Sequence, residues 1–402
     1  MCNKSTYWIV MAIGIALALM TGTQAMAADD TIKVGIVLPL TGDQAKFGEI
    51  EKMSFDLAVE EINAAGGVNG KKIELIMEDD TGRPDVGRSV VEKLITKDKV
   101  AMISGGYSSS VTYAVAGVCQ QNEVPFLVCT GSADNITESG WDYVFRISPP
   151  VSEYAGAIES LLSEVVKPKT VAILYENSKF GTDGAKSFEE ICKKNNYQVL
   201  MKEGYEHGGI DFKPVLVQIK GKNPDVVYMI SYVMDAALLM KQSKELKLTP
   251  KLFIGAGAGF TLPEFQQNAG TASEKLISAT LWHEVLPYPG AMDYFNNFVA
   301  KFKKPTEYHG AEAYAAAYVV ADALKRSTSL KNTDIREALS KTDLMTVFGP
   351  VKFISYDKKK NQNKLPTYVV QWIDGKLELV WPANLAIKKF VYPVDWLKTW
   401  GY

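Results

Sequence analysis

The chain has 402 residues, 44 of them Lys or Arg and 46 Asp or Glu, for a formal net charge of −2. That balance argues against a nucleic-acid partner, which would want a basic face, while 47% hydrophobic and 22% charged residues are ordinary for a globular protein. The length exceeds what one hydrophobic core usually carries and suits two lobes.

Lys4 opens a short polar start, and residues 8–20 (WIVMAIGIALALM) form an apolar run of 13 residues. A membrane-spanning helix needs roughly 20. Ala25-Met26-Ala27 then gives the small-x-small pattern of a cleavage site, so residues 1–27 are predicted to be a signal peptide. Cys2 precedes the apolar run, where a lipoprotein cysteine would have to follow it. No second long apolar run follows, which predicts a soluble mature chain outside the cytoplasm.

The next segments alternate. Residues 32–39 (IKVGIVLP) read as a buried strand. Residues 48–65 have helical spacing, with Phe55, Leu57, Ala58 and Ile62 to one side, and Gly66-Gly67 ends them. Strands are predicted at 72–79, 100–104 and 125–128, with helices at 85–98 and 110–122. This β-α rhythm implies a parallel sheet covered on both faces. It restarts after Pro149-Pro150 with helices at 152–166, 180–195, 213–220 and 234–246, and strands at 170–175, 198–205, 226–230 and 251–255. Asp211 caps the 213–220 helix and Pro214 falls in its first turn. Long helices follow at 292–302 and 311–326. Residues 358–363 (KKKNQN) read as an exposed loop. Strands at 367–373 and 376–380 are joined by Asp374-Gly375, a hairpin signal.

Chemistry is sparse. No G-x-S-x-G elbow and no G-x-x-x-x-G-K-[ST] phosphate loop occurs. Gly255-Ala-Gly257-Ala-Gly259 lacks a correctly spaced third glycine and reads as a flexible strand-to-helix turn. His207, His283 and His309 stand apart, without ligand spacing, and read as surface or packing residues. Asp79-Asp80 reads as a polar turn at a strand end. No metal or cofactor site is predicted. Cys119, Cys129 and Cys192 permit one bridge at most; Cys119 and Cys129 either approach each other or are buried apolar residues.

Two loops differ. Gly105-Gly106-Tyr107-Ser108-Ser109-Ser110 follows a strand and opens a helix, offering hydroxyls and free N–H groups where anions bind. Thr130-Gly131-Ser132-Ala133 follows the next strand. Ligands of open α/β sheets bind beside the carboxyl ends of strands, so both loops should line one crevice. A lone serine there would be only a helix cap.

With these residues in place, the chain resembles the type I periplasmic solute-binding proteins of ABC importers, in their leucine/isoleucine/valine-binding group. The matching segments include Lys33-Val-Gly-Ile-Val-Leu-Pro-Leu-Thr-Gly42, Glu61-Ile-Asn-Ala-Ala-Gly-Gly-Val-Asn-Gly70, Phe145-Arg146, Asp235-Ala-Ala-Leu-Leu239 and Tyr308-His-Gly-Ala-Glu-Ala-Tyr314. The resemblance implies two Rossmann-like α/β lobes with parallel sheets, joined by a three-crossover hinge. Lobe 1 would hold residues 29–148 and 282–349, and lobe 2 residues 149–281 and 350–402. It also implies a ligand carboxylate on Ser108 or Ser109, completed by Thr130 and Ser132 and flanked by Tyr107. From the other lobe, Phe180 would close over the ligand, joined by Tyr232; Phe180 is equally a packing candidate.

The leucine-type members place an ammonium-binding glutamate in the turn where this chain has Gly257. Glu153, Asp183, Asp235 and Glu284 are the candidate substitutes. The relatives' disulfide would fall at Gly82 and Tyr107 and cannot form. A carboxylate without an ammonium would suit the serines and the aromatics Tyr107, Tyr232 and Trp282, the last being also a hinge-packing candidate.

The expected function is therefore capture of a small solute, a branched-chain amino acid or an aromatic or aliphatic carboxylate, by a monomer that delivers it to ABC permease subunits. No enzyme activity is expected. A sensor subunit of the same fold is the second reading. A secreted hydrolase acting through Ser109 or Ser132, which would need a nearby histidine base, is the third.

Overall fold

The computed structural model describes residues 31–402; the predicted signal peptide, with Cys2, lies outside the described residues. Apolar runs of four to eight residues separated by helices pair in parallel because each connection must cross a sheet face. β1 (Thr31–Leu38), β2 (Lys72–Asp79), β3 (Met102–Gly105), β4 (Phe126–Val128) and β5 (Val144–Arg146) form one parallel sheet in the order β2-β1-β3-β4-β5. β6 (Thr170–Glu176), β7 (Gln198–Tyr205), β8 (Val226–Ile230), β9 (Leu252–Gly255) and β10 (Ile277–Thr280) form a second, ordered β7-β6-β8-β9-β10. These are the two sheets expected of a two-lobed α/β protein.

After β10, the helix Tyr308–Arg326 packs on the helix Ala45–Ala64 beside the first sheet. β11 (Asp343–Thr346) and β12 (Gly349–Lys352) make a separate hairpin. β13 (Ile354–Tyr356) and β14 (Lys359–Gln362) then extend the first sheet beyond β5, whereas β15 (Tyr368–Ile373) and β16 (Lys376–Trp381) extend the second beyond β10. The chain thus passes between the sheets three times, after β5, β10 and β14.

Three expectations need correction. Residues 358–363 are not an exposed loop. Lys359 is buried in ion pairs with Asp134 and Glu138, and Gln362 is buried beside Arg146. Consequently residues 354–362 belong to the first sheet, and a lobe boundary at 349/350 cuts before a segment that its hydrogen bonds place with β5. The single helix expected at 152–166 is interrupted: a 3-10 turn at Val151–Glu153 precedes the helix Gly156–Leu161, which runs into a wider turn at Leu162–Val166. Gly156 weakens the helix there, and the Thr367 hydroxyl accepts the Ala157 N–H at the new start. Asp374 and Gly375 both have positive φ and close the β15–β16 hairpin as expected. Cys119, Cys129 and Cys192 are buried and unpaired.

Candidate functional site

The carboxyl ends of β3 and β4 face those of β6, β8 and β9 across the gap between the sheets. Residues just past these ends wall a small cavity of about 20 Å³: Tyr107, Ser109, Thr130 and Ser132 from the first lobe, with Phe180, Tyr232 and Ala258 opposite. Tyr154 and the helix-opening pair Tyr308 and His309 complete it. Six of the eight predicted site residues therefore meet.

Ser108 and Gly257 do not line the cavity. Ser108 is the N-cap residue of the helix Ser109–Gln121, its carbonyl accepting the Thr112 N–H. Gly257 turns the chain so that Ala258 faces inward, and its N–H is spent on Ser278 Oγ at 3.0 Å.

Ser109 does more than cap. Its Oγ accepts the backbone N–H groups of Ser132 (3.2 Å) and Ala133 (3.0 Å), tying the two predicted loops together. The hydroxyl hydrogen stays free to point inward. The second loop is fixed from behind by Arg146, whose Nη1 donates to the carbonyls of Gly131 (3.2 Å) and Ala133 (2.7 Å). Its Nε donates to Gln362 and its Nη2 to Thr137.

Aromatic rings join the lobes. Phe47 stacks on Tyr107 at 4.4 Å, Tyr107 lies 6.1 Å from Tyr232, and Tyr232 lies 5.9 Å from Phe180. Burial pushes the phenols of Tyr107, Tyr154, Tyr232 and Tyr308 up, so all four remain neutral donors. The Tyr107 hydroxyl is buried without a hydrogen-bond partner among the described residues.

His309 was expected to be an isolated surface or packing residue; it is buried in the cavity wall, with Nδ1 2.7 Å from Glu307 Oε1 and its ring against Phe47 and Tyr107. Glu307, two residues earlier, was the available signal. No hydrogen bond among the described residues joins its Nε2 to a serine hydroxyl, so the relay a serine hydrolase needs is not assembled. No group of His, Cys, Asp and Glu among the described residues could hold a metal.

None of the acids expected to replace the missing glutamate reaches the cavity. Glu153 accepts from Tyr356, Asp183 pairs with Lys179, Asp235 is held by His207, and Glu284 lies against His283. Trp282 lines a different, 460 Å³ cavity, and its indole donates to the Val347 carbonyl. Two buried acids near the cradle were missed. Glu51 Oε1 lies 2.7 Å from Thr130 Oγ1, and Glu312 is wholly buried with neither oxygen partnered. Both sit on helices whose apolar spacing hides a single inward acid.

Residues 31–376 match the family described as periplasmic binding protein. A curated relative named Leu/Ile/Val-binding protein homolog 7, from Brucella melitensis, is 28% identical over 96% of this chain and 99% of its own length. The substrate-binding protein LivJ of a branched-chain amino acid transporter from Streptococcus pneumoniae, solved with isoleucine, aligns with a TM-score of 0.80 and 27% identity over 87% of this chain and 99% of its own. A solute-binding protein of an ABC transporter from Rhodopseudomonas palustris, solved with 3,4-dihydroxybenzoic acid, has a TM-score of 0.78 and 24% identity over 87% and 95%.

Proposed function

The chain belongs to the periplasmic binding protein family, and we propose that it is the receptor of an ABC importer that captures a small monocarboxylate between its lobes and delivers it to the permease. One observation carries the solute class. The cavity between the strand ends is walled by neutral hydroxyl groups from both lobes, Ser109, Thr130, Ser132 and four tyrosines, with no acid among the described residues that line it to meet an ammonium. Such donors suit a carboxylate, and the rings of Phe180, Tyr107 and Tyr232 suit a flat apolar body. The same fold takes isoleucine in one relative and a dihydroxybenzoate in another; the acid-free wall favours the second chemistry.

Function here is closure. A cavity of about 20 Å³ holds roughly one water, so the solute enters with the lobes apart, displacing the Tyr107–Tyr232 contact. Contacts from both lobes then stabilise the closed form, which docks on the permease.

The test is a thermal-shift panel on refolded protein, with benzoate, 4-hydroxybenzoate and aliphatic monocarboxylates beside leucine, isoleucine and valine. At 100 times its dissociation constant a ligand adds about 2.7 kcal/mol. The aromatic carboxylates should give the largest shifts, and Ser109→Ala should cut them. Largest shifts from the amino acids would overturn the solute class; no shift from any carboxylate would overturn the carboxylate reading itself.

A further inference from the structure

Glu51 and Glu312 lie beneath the cradle on two packed helices, each 0% exposed. Glu51 faces Thr130 and Cys129, with Asp80 and Glu307 as further acids nearby. Glu312 feels the charges of Glu51, Glu307 and Arg146, with the Thr130 hydroxyl also acting on it, and neither of its oxygens meets hydrogen-bond geometry among the described residues. Arg146 is a cation acting on Glu312, but its donors are already committed to Gln362, Thr137 and two carbonyls. Two carboxylates cannot both stay ionised in such a place. The cavity wall adds an independent sign of a ligand, the buried and unpartnered Tyr107 hydroxyl.

We propose that Glu51 and Glu312 are a neutral acid pair that sets the charge of the solute: Glu51 gives its acid hydrogen to Thr130 Oγ1, and Thr130 gives its own to the ligand carboxylate. The heavy-atom distance of 2.7 Å serves either direction of donation. With the pair neutral the cradle admits an anion. With Glu51 ionised, Thr130 must donate backward, and with either acid ionised the anion meets a buried negative charge. This rests on the carboxylate reading and adds a proton to it: burial holds Glu51 at about 8 and Glu312 well above the usual carboxylate range, so binding near pH 8 takes up a proton. An amino acid would do the reverse, since its ammonium would ionise the pair and release one.

Infrared difference spectra of wild type minus Glu51→Gln, and minus Glu312→Gln, read the pair without any ligand. Each should show the C=O stretch of a neutral carboxylic acid at neutral pH, that of Glu51 fading as pH rises through about 8. Absence of both bands overturns the proposal whatever the protein binds. Benzoate titrations by calorimetry in buffers of unequal ionisation heat should show proton uptake near pH 8. Affinity should fall by up to about tenfold per pH unit above that value, and Glu51→Gln should abolish both effects. Proton release on binding isoleucine, with that affinity lost in Glu312→Gln, would mean that the pair serves an ammonium and would overturn the proposal. Both bands present, with no carboxylate bound, would instead overturn the carboxylate reading, and the solute selection with it.

Discussion

Gly257 holds φ +75° and ψ −142°, a backbone region that essentially only glycine visits. A Cβ there would sit 3.3 Å from the Tyr308 hydroxyl, which accepts the Ala258 N–H. The glutamate that the family resemblance implies at this position would therefore not suit the shape of the turn. Gly257→Ala should lower stability by roughly 1–3 kcal/mol, measured by urea unfolding, and an unchanged midpoint would refute this account. Glu51 makes a second prediction. Its carboxyl titrates at 4.5 when unfolded and about 8 when folded, so its contribution is fully present below pH 4.5 and lost as pH rises through about 8. The loss is roughly 2–5 kcal/mol. Glu51→Gln should flatten the decline of stability across that window; an equal slope in both proteins would contradict it. Single inward acids such as Glu51 and Glu312 were illegible beforehand because apolar spacing names the buried face of a helix, not the exception upon it.

The loop after β4 shows how elements place these residues. Arg146 closes β5 and ties that loop, through Gly131 and Ala133, to Gln362 of β14. The parallel strands, and both loops at their ends, were legible because apolar runs and glycine stops mark them. β14 was not. Its sequence is Lys359-Lys360-Asn361-Gln362, and what buries it is ion pairing and a guanidinium network, which hydropathy cannot register. Arg146→Lys keeps the charge but not the fork of donors. It should cost about 1–3 kcal/mol for each buried acceptor left unpaired. It should also weaken solute binding, because Ser132 rides on the released loop. A thermal shift and a titration on one sample check both, and full stability with full affinity would remove Arg146 from the account.

At the scale of the molecule, two sheets were legible from the repeated rhythm, while the third crossing came only from family resemblance, because it depends on which sheet edge captures β13 and β14. The proposed closure would depend on contacts between the lobes, and one of them titrates. His207 follows β7, with Nδ1 2.7 Å from Asp235 and Nε2 3.8 Å from Asp43 of the opposite lobe. The hydrogen bond to Asp235 raises its pKa above 6.5 against the cost of burial, with Glu176 and Asp43 adding to the effect. Its stabilisation is therefore fully present below pH 6.5 and lost as pH rises through the raised value. Only the share owed to Asp43 bears on closure, since Asp235 shares a lobe with His207. Asp43 is 79% exposed, so that share is about 0–1 kcal/mol and is screened by salt. Asp43→Asn should remove a shallow decline of affinity with pH in the histidine range, and added salt should do the same to wild type. The steeper decline set by the buried acids near pH 8 should survive both treatments, because ions do not reach them. If Asp43→Asn leaves the profile unchanged, His207 acts within its own lobe alone, and closure is governed by the aromatic contacts around Tyr107 and Tyr232.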